Sequence, residues 1–343
     1  MTRKIRFGII GAGRWGPNVI GALNRLKCSQ VLKVADSNRD SLNLLKDRFT
    51  SVITTDSAHS IFEDKEIDAV AICTPVETHI DFVKLAIKGG KHVFVEKPFG
   101  QNDKECEHLC QLADAKNLKI LVGHVFLFNA SILALKKIIQ EDSFGKILHI
   151  EAHRTNLGPV RKDVNAVWDL TSHDLSIFDF LLDQLPLEVS CLGSCKLDPG
   201  IEDTSYTTFK YPNNILAHAH ASWLNPRKVR QITVIGSKKM ALWDDLNLDN
   251  PITIYDSSIG LEQSYFSDSF ASHRLSYNRG DVILPSINTN EPLLEELRHF
   301  LEVILENEEN RSCGKYATEL VRSLIAADQS IEQGGAFISI ERP

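Results

Sequence analysis

IRFGIIGAGRWG, residues Ile5 to Gly16, joins an apolar run to three glycines spaced G-x-G-x-x-G, and NVIGALNRLK continues from Asn18 with apolar residues at helical intervals. Strand, glycine turn and helix in that order give the motif its meaning, because glycines at this spacing also occur in ordinary structural turns. Gly11 permits the tight turn, Gly13 lets phosphates approach the backbone, and Gly16 brings helix and strand together, with Arg14 and Trp15 between them. The helix N-terminus then offers unpaired N–H groups and the positive end of its dipole to a pyrophosphate. Pro17 suits a first helical turn, where its missing N–H costs little. Asp36 closes the next strand-like run, 20 residues past Gly16, where a carboxylate accepts hydrogen bonds from adenosine ribose hydroxyls. The expected cofactor is NAD rather than NADP, with Ser37 and Arg39 the neighbours able to hold a 2′-phosphate if NADP is used.

Working outward, residues 5 to 122 alternate short apolar runs (VLKVAD, VITT, DAVAICT, HVFVE, LKILVG) with amphipathic helical stretches (RDSLNLLKDRF, HIDFVKLAIKGG, DKECEHLCQLADAKN). That alternation predicts an α/β fold, a doubly wound parallel sheet of the Rossmann type. Past residue 123 the grammar changes: one helix, ASILALKKII, then ILHIEAHRTN, a helix over 169–184, and consecutive strand-like runs through ITIYD. Strands without intervening helices predict an α+β region with a large, mostly antiparallel open sheet, and two helices near 291–307 and 314–333 close the chain. The expected division is a cofactor domain over 1–123 and a substrate-binding and oligomerisation domain over 124–343.

The totals agree with a small-molecule protein. The chain has 343 residues, 43% hydrophobic and 24% charged, with a net charge of −7 and no dense basic run, which argues against nucleic acid as a partner. No apolar run reaches membrane length, so neither a membrane partner nor a spanning segment is expected, and a cytoplasmic location follows. Seven scattered cysteines fit reduced thiols better than a disulfide framework, and neither Cys106/Cys110 nor Cys191/Cys195 has zinc-site spacing.

WDLTSHD, residues 168–174, places Asp169 four residues before His173 on one helical face. By itself that geometry suits a catalytic pair, a metal pair or a satisfied core histidine. His218 and His220, two apart on a strand, share a face and could join a metal site, although no metal is expected. A second polar cluster, Arg154, Asn156, Arg161, Lys162 and Asn165, precedes the Asp/His helix and offers basic groups to a diphosphate or a carboxylate.

With Thr74-Pro75-Val76-Glu77-Thr78-His79 after the fourth strand and Glu96-Lys97-Pro98 after the fifth, WDLTSHD resembles the Gfo/Idh/MocA family of NAD(P)-dependent sugar oxidoreductases. The resemblance runs the length of the chain. It implies that Thr74, Pro75, His79, Glu96 and Lys97 lie at the cofactor, that Glu96-Lys97-Pro98 is the family's EKP motif with a cis prolyl bond, and that Asp169 and His173 are its D-x-x-x-H pair. HVFLFNAS, the stretch around 153–182 and SWLNPRKVRQITVIGSKKMALWDDL are similar to the branch of nucleotide-sugar 3-dehydrogenases and 3-ketoreductases. Leu127 stands where the family often has arginine, and Asn165-Ala166 where paired glycines often precede the aspartate, which argues against free polyols such as inositol.

Oxidising a secondary alcohol needs a hydride acceptor and a group that takes the hydroxyl proton. The expectation is His173 as general acid/base, Lys97 as the cation on the reacting oxygen and Asp169 orienting the imidazole, with exchanged Lys97 and His173 roles as the alternative. His124 and His153 are read as pocket or core residues. A non-catalytic dinucleotide sensor is the rival of another class. A homodimer or homotetramer built through the open sheet is expected, since that sheet has a face to cover.

Overall fold

The computed structural model describes residues 4–262 and 274–342. They form two compact units: residues up to 128 with 290–325 and Arg342 make the first, and 129–289 with 326–341 make the second.

The first unit carries a six-stranded parallel sheet of β1 (Ile5–Ile10), β2 (Ser29–Ala35), β3 (Ile53–Thr55), β4 (Ala69–Ile72), β5 (His92–Glu96) and β6 (Ile120–Gly123), in the order β3-β2-β1-β4-β5-β6. The connecting helices are α1 (Gly16–Arg25), α2 (Arg39–Arg48), α3 (His59–Phe62), α4 (His79–Lys88) and α5 (Asp103–Ala115). Parallel strands covered on both faces are apolar throughout, as β4 shows with all of Ala69, Val70, Ala71 and Ile72 buried. Strand order reverses between β1 and β4, which opens a crevice at their carboxyl ends.

In the second unit α6 (Ala130–Ile139) leads to β7 (Ile147–Leu157), and α7 (Ser172–Leu182) leads to β8 (Glu188–Ser194), β9 (Thr204–Tyr211), β10 (Ile215–Ser222), β11 (Leu224–Gly236), β12 (Met240–Asp244), β13 (Ile252–Glu262) and β14 (Arg274–Ile283). The strands pair in the order β14-β13-β12-β11-β7-β10-β9-β8, antiparallel except for β7 with β10. Asn213 and Asn214, both at φ 60°, make the turn between β9 and β10, a backbone region asparagine tolerates better than most residues. Ile150, Ala152, Phe209, Ala217, Ala219, Ile232 and Val234 point to the buried face. The helices are stitched to that face by Trp243 Nε1, which donates to Ser131 Oγ at 2.7 Å, and by Tyr211 Oη, which donates to Asp179 at 2.6 Å. The other face carries His149, Glu151, His153, His218 and His220, with Tyr206 stacked on His220 at 4.5 Å between ring centroids.

α8 (Pro292–Leu305) and α9 (Gly314–Glu332) follow, and β15 (Ile338–Ser339) pairs with β8 as the ninth strand of the second sheet among the described residues. The expected single cut at residue 123 needs amending. α8 presents Leu293, Leu297, Phe300 and Leu301 to the interior, and Phe300 packs on Phe7 and Phe94 with ring centroids 6.2 and 6.3 Å away. Its apolar stripe therefore completes the core of the first unit. No helix among the described residues is long and apolar enough to cross a membrane.

Candidate functional site

The glycine turn divides its labour as the spacing implies. Gly11 lies at φ +100°, and a Cβ there would stand 2.7 Å from the Cys73 carbonyl oxygen; at Gly16 a Cβ would stand 2.0 Å from the Gly11 carbonyl oxygen. At Gly13 a Cβ would meet nothing within 4 Å. The first and third glycines thus serve the protein's own packing, and the second faces open space. No side chain caps the N-terminus of α1, whose positive dipole end faces the glycine turn and favours an anion there; within its first turn Pro17 has no N–H and the Asn18 N–H donates to the Trp15 carbonyl at 2.9 Å.

Asp36 sits at the other end of this cradle. Its Oδ2 accepts the Ala12 N–H at 2.6 Å and its Oδ1 the Asn38 N–H at 2.7 Å, which orients the carboxylate and leaves each oxygen acceptor capacity for ribose hydroxyls. A cavity of about 440 Å³ opens here, lined by Gly11, Gly13, Asp36, Ser37, Asp56 and Thr74 among others. Arg39 is ion-paired with Asp56 at 3.2 Å. Two carboxylates, with the arginine engaged by one of them, suit a 2′-hydroxyl better than a 2′-phosphate. The residues present therefore fit NAD. Asp36→Ser is expected to weaken NAD binding by about 10- to 100-fold, the loss of a charged hydrogen-bond acceptor, and to narrow the preference over NADP. Titration of both cofactors against the variant checks this, and unchanged NAD affinity would remove Asp36 from the ribose site.

Two further loops follow β4 and β5. Thr74 Oγ1 lies 2.6 Å from Thr78 Oγ1, and the Thr78 hydroxyl donates to the Pro75 carbonyl at 2.8 Å. His79 differs from its expected role at the cofactor: it is 1% exposed, with ring nitrogens 2.8 Å from the carbonyl oxygens of Pro98 and Thr74. It ties the two loops together from within.

Lys97 precedes Pro98 through a cis peptide bond. Beside it, burial pushes the Glu96 carboxyl up to about 7, against the opposing pull of the Lys97 charge and of a hydrogen bond donated by the Trp15 side chain. His124, 2% exposed, is pushed down to about 3 by burial and by the nearby Lys97 charge, so its imidazole is neutral. Arg14 is exposed on the glycine turn.

In the second unit the helix expected from 169 begins differently. Val167–Thr171 form a wide π-helical turn that runs into α7, a feature frequent at functional sites. Asp169 lies on that turn: Oδ1 accepts from Arg161 at 3.2 Å and Oδ2 from Trp223 Nε1 at 3.1 Å. His173 is partly exposed in the first turn of α7. Among the described residues no group of three or more His, Cys, Asp or Glu is arranged to hold a metal ion.

The five residues expected at the substrate separate by environment. Arg154 is 3% exposed, and its Nε and Nη2 donate to Asp174 Oδ1 at 2.9 and 2.7 Å, so it anchors β7 to α7 rather than facing a ligand. Asn165 is also turned inward: its amide donates to Glu202 and Asp328 at 2.9 and 3.0 Å, and its carbonyl accepts the Trp168 N–H. Arg161 bridges Asp163 and Asp169, and these partners hold its pKa above the ordinary arginine value. The Asn156 amide donates to the Gly158 carbonyl. Lys162 is exposed and has no ion-pair partner among the described residues. Reasoning from sequence did not single out Trp223, Asp328 or Glu296. The first two are distant in the chain from what they hold, but Glu296 had a signal, an acid on the apolar stripe of its helix.

Comparison with known proteins agrees with this architecture. A model for an oxidoreductase family with an NAD-binding Rossmann fold, GFO_IDH_MocA, matches residues 5–124, and one for the GFO/IDH/MocA C-terminal domain matches 132–242. The chain is 23% identical over 344 residues to a myo-inositol 2-dehydrogenase of Thermotoga maritima, covering 96% of this chain and 97% of that one. It is 27% identical over 263 residues to the UDP-N-acetylglucosamine 3-dehydrogenase of Acidithiobacillus ferrooxidans, covering 75% and 78%. The solved structure of the latter superposes with a TM-score of 0.79 over 96% of this chain and 99% of that one at 22% identity. GenD2 from gentamicin A biosynthesis, solved with NAD, gives 0.83 over 100% and 98% at 16% identity. At such identities the two structures share the fold.

Proposed function

The chain belongs to the GFO/IDH/MocA oxidoreductase family, with an NAD-binding Rossmann fold, and from that premise we propose that it interconverts a secondary alcohol and a ketone of a sugar, a nucleotide sugar at carbon 3. NAD held on the Gly11–Gly16 turn and Asp36 supplies the hydride acceptor. The chain's own residues do the rest. His173 takes the hydroxyl proton, because imidazole titrates near neutral pH. Asp169, fixed by Arg161 and Trp223, holds the approach to His173 and orients its ring. Lys97, with Glu96 as its acidic neighbour, donates to the reacting oxygen and stabilises the negative charge that grows there.

The observation that carries the reading is the presence of both halves of the proton chemistry: a lysine with a buried acid beside it in the cofactor unit, and a histidine at the head of α7 next to an anchored aspartate. The nucleotide-sugar choice is supported by Lys162, an exposed cation on the 158–163 loop suited to a diphosphate, and by likeness to the Acidithiobacillus enzyme. A second reading, a polyol dehydrogenase, is favoured by the likeness to the Thermotoga enzyme, which spans nearly the whole chain. Turnover of UDP-N-acetylglucosamine, its uronate, a dTDP-keto sugar and myo-inositol separates them. Preference for a nucleotide sugar, lost on Lys162→Ala through KM, is expected; turnover of myo-inositol alone would select the polyol reading.

A further inference from the structure

Glu296 is the largest anomaly in the first unit. It is 0% exposed on the apolar stripe of α8, and neither of its carboxyl oxygens has a hydrogen-bond partner among the described residues. α8 packs on α1 and on the short turn Val125–Phe128, which follows directly from His124. His124 is in the same condition, 2% exposed with neither ring nitrogen partnered among the described residues, its ring edge-on to Tyr316 at 6.1 Å. Glu96 lies nearby. It pairs in register with Gly123, and a Cβ on Gly123 would stand 3.0 Å from Glu96 Oε2, so the carboxyl lies across the residue that leads into His124.

The surrounding charges single out one partner. On α8 itself Glu295 accepts from Arg298, and Glu302 faces His299. From α1, Arg25 pairs with Glu291. Arg311 and His299 both pack on the Phe128 ring. The charge that acts on Glu296 is that of Glu96, which also acts on the buried Cys73 thiol and on Lys97. Burial and the Glu96 charge push Glu296 well above the ordinary carboxylate range, and a carboxyl with no solvent exposure and no partner for either oxygen among the described residues avoids the cost of a buried lone charge by holding its proton.

A neutral carboxylic acid has one O–H to donate, and buried polar atoms without a protein partner are normally met by an ordered water. We propose that Glu296 is a positioning residue for Lys97: its neutral carboxyl donates, through a buried water, to the Glu96 carboxylate and keeps it ionised and fixed beside the Lys97 ammonium. This deepens the function proposed above and rests on Lys97 acting there as a cation. A hydrogen bond to the charged form favours that form, so it opposes the burial that drives Glu96 toward neutrality. Without the donor, burial carries Glu96 above its native value of about 7, so that it stays neutral in the alkaline range where Lys97 titrates; Lys97 then loses its adjacent anion there, and the ammonium gives up its proton at lower pH.

The test is the pH profile of kcat/KM for oxidation of UDP-N-acetylglucosamine by the NAD-bound enzyme. Glu296→Met is expected to move the alkaline limb down by about one pH unit, and Glu296→Gln, whose amide also donates, to restore it. If the methionine variant superposes on wild type, or the glutamine variant is displaced as far as methionine, the proposal is overturned. A readout independent of substrate is the infrared band of a protonated carboxyl in the wild-type protein at pH 8. It is expected to vanish in Glu296→Gln and to persist in Lys97→Met; its absence from the wild type would also overturn the proposal. Full turnover in Lys97→Met with the band retained would instead strike at the role given to Lys97.

Discussion

Lys97→Met and His173→Ala each lower kcat for sugar oxidation by about 10²- to 10⁴-fold, the range typical of lost acid–base or charge-stabilising groups, while NAD affinity stays near wild type. The two losses differ in their pH dependence. His173→Ala removes the acid limb of the profile, because imidazole must be neutral to accept the hydroxyl proton. Lys97→Met removes the alkaline limb, since methionine keeps the side chain's length but supplies neither charge nor donor. Steady-state kinetics from pH 5 to 10 with stopped-flow NAD titration distinguish these outcomes. An acid limb lost with Lys97 and retained without His173 would exchange the two roles. Activity retained in both variants would leave the non-catalytic reading standing.

Asp174→Ala costs about 3–5 kcal/mol of stability, the range typical of breaking a buried ion pair by removing one of its members. Arg154 and Asp174 are 3% and 1% exposed and join β7 to the first turn of α7. Burial pushes the Asp174 carboxyl above its ordinary value, with the Arg154 charge and hydrogen bond pulling the other way, so desolvation offsets much of the ionic attraction. The double variant Arg154→Met with Asp174→Leu is accordingly expected to recover most of the loss, since it removes both charges and keeps the volume. Urea unfolding of the singles and the double gives the coupling directly. A loss below about 1 kcal/mol in Asp174→Ala would show the pair to be no anchor for α7.

The Rossmann half was legible because its strands are covered on both faces and its helices on one, so β4 reads as a continuous apolar run and α1 as a periodic one. The tight turn at Gly11 and the close approach at Gly16 were legible too, because both follow from local backbone geometry. What escaped depended on partners far along the chain. Asn165 is held by Asp328, and α8 returns to cover Phe7 and Phe94, contacts that no periodicity encodes. Arg154 was readable in principle, since it shares its strand face with Ile150 and Ala152 and must turn inward with them. Its charge drew attention to a ligand when the alternation pointed to a buried partner. The π-helical turn at Val167–Thr171 had no local signal of its own.

The central claim, hydride transfer between a sugar carbinol and NAD, is tested most directly by isotope transfer. UDP-N-acetylglucosamine carrying deuterium at carbon 3 is incubated with the enzyme and NAD, and the reduced cofactor is examined by mass spectrometry and proton NMR. The account predicts deuterium at carbon 4 of the nicotinamide and a primary isotope effect on single-turnover reduction, with that reduction slowed by about 10²- to 10⁴-fold in the His173→Ala and Lys97→Met variants. NADH formed without deuterium would place the oxidation at another carbon, and no reduction of bound NAD by any sugar in the panel would contradict the assignment.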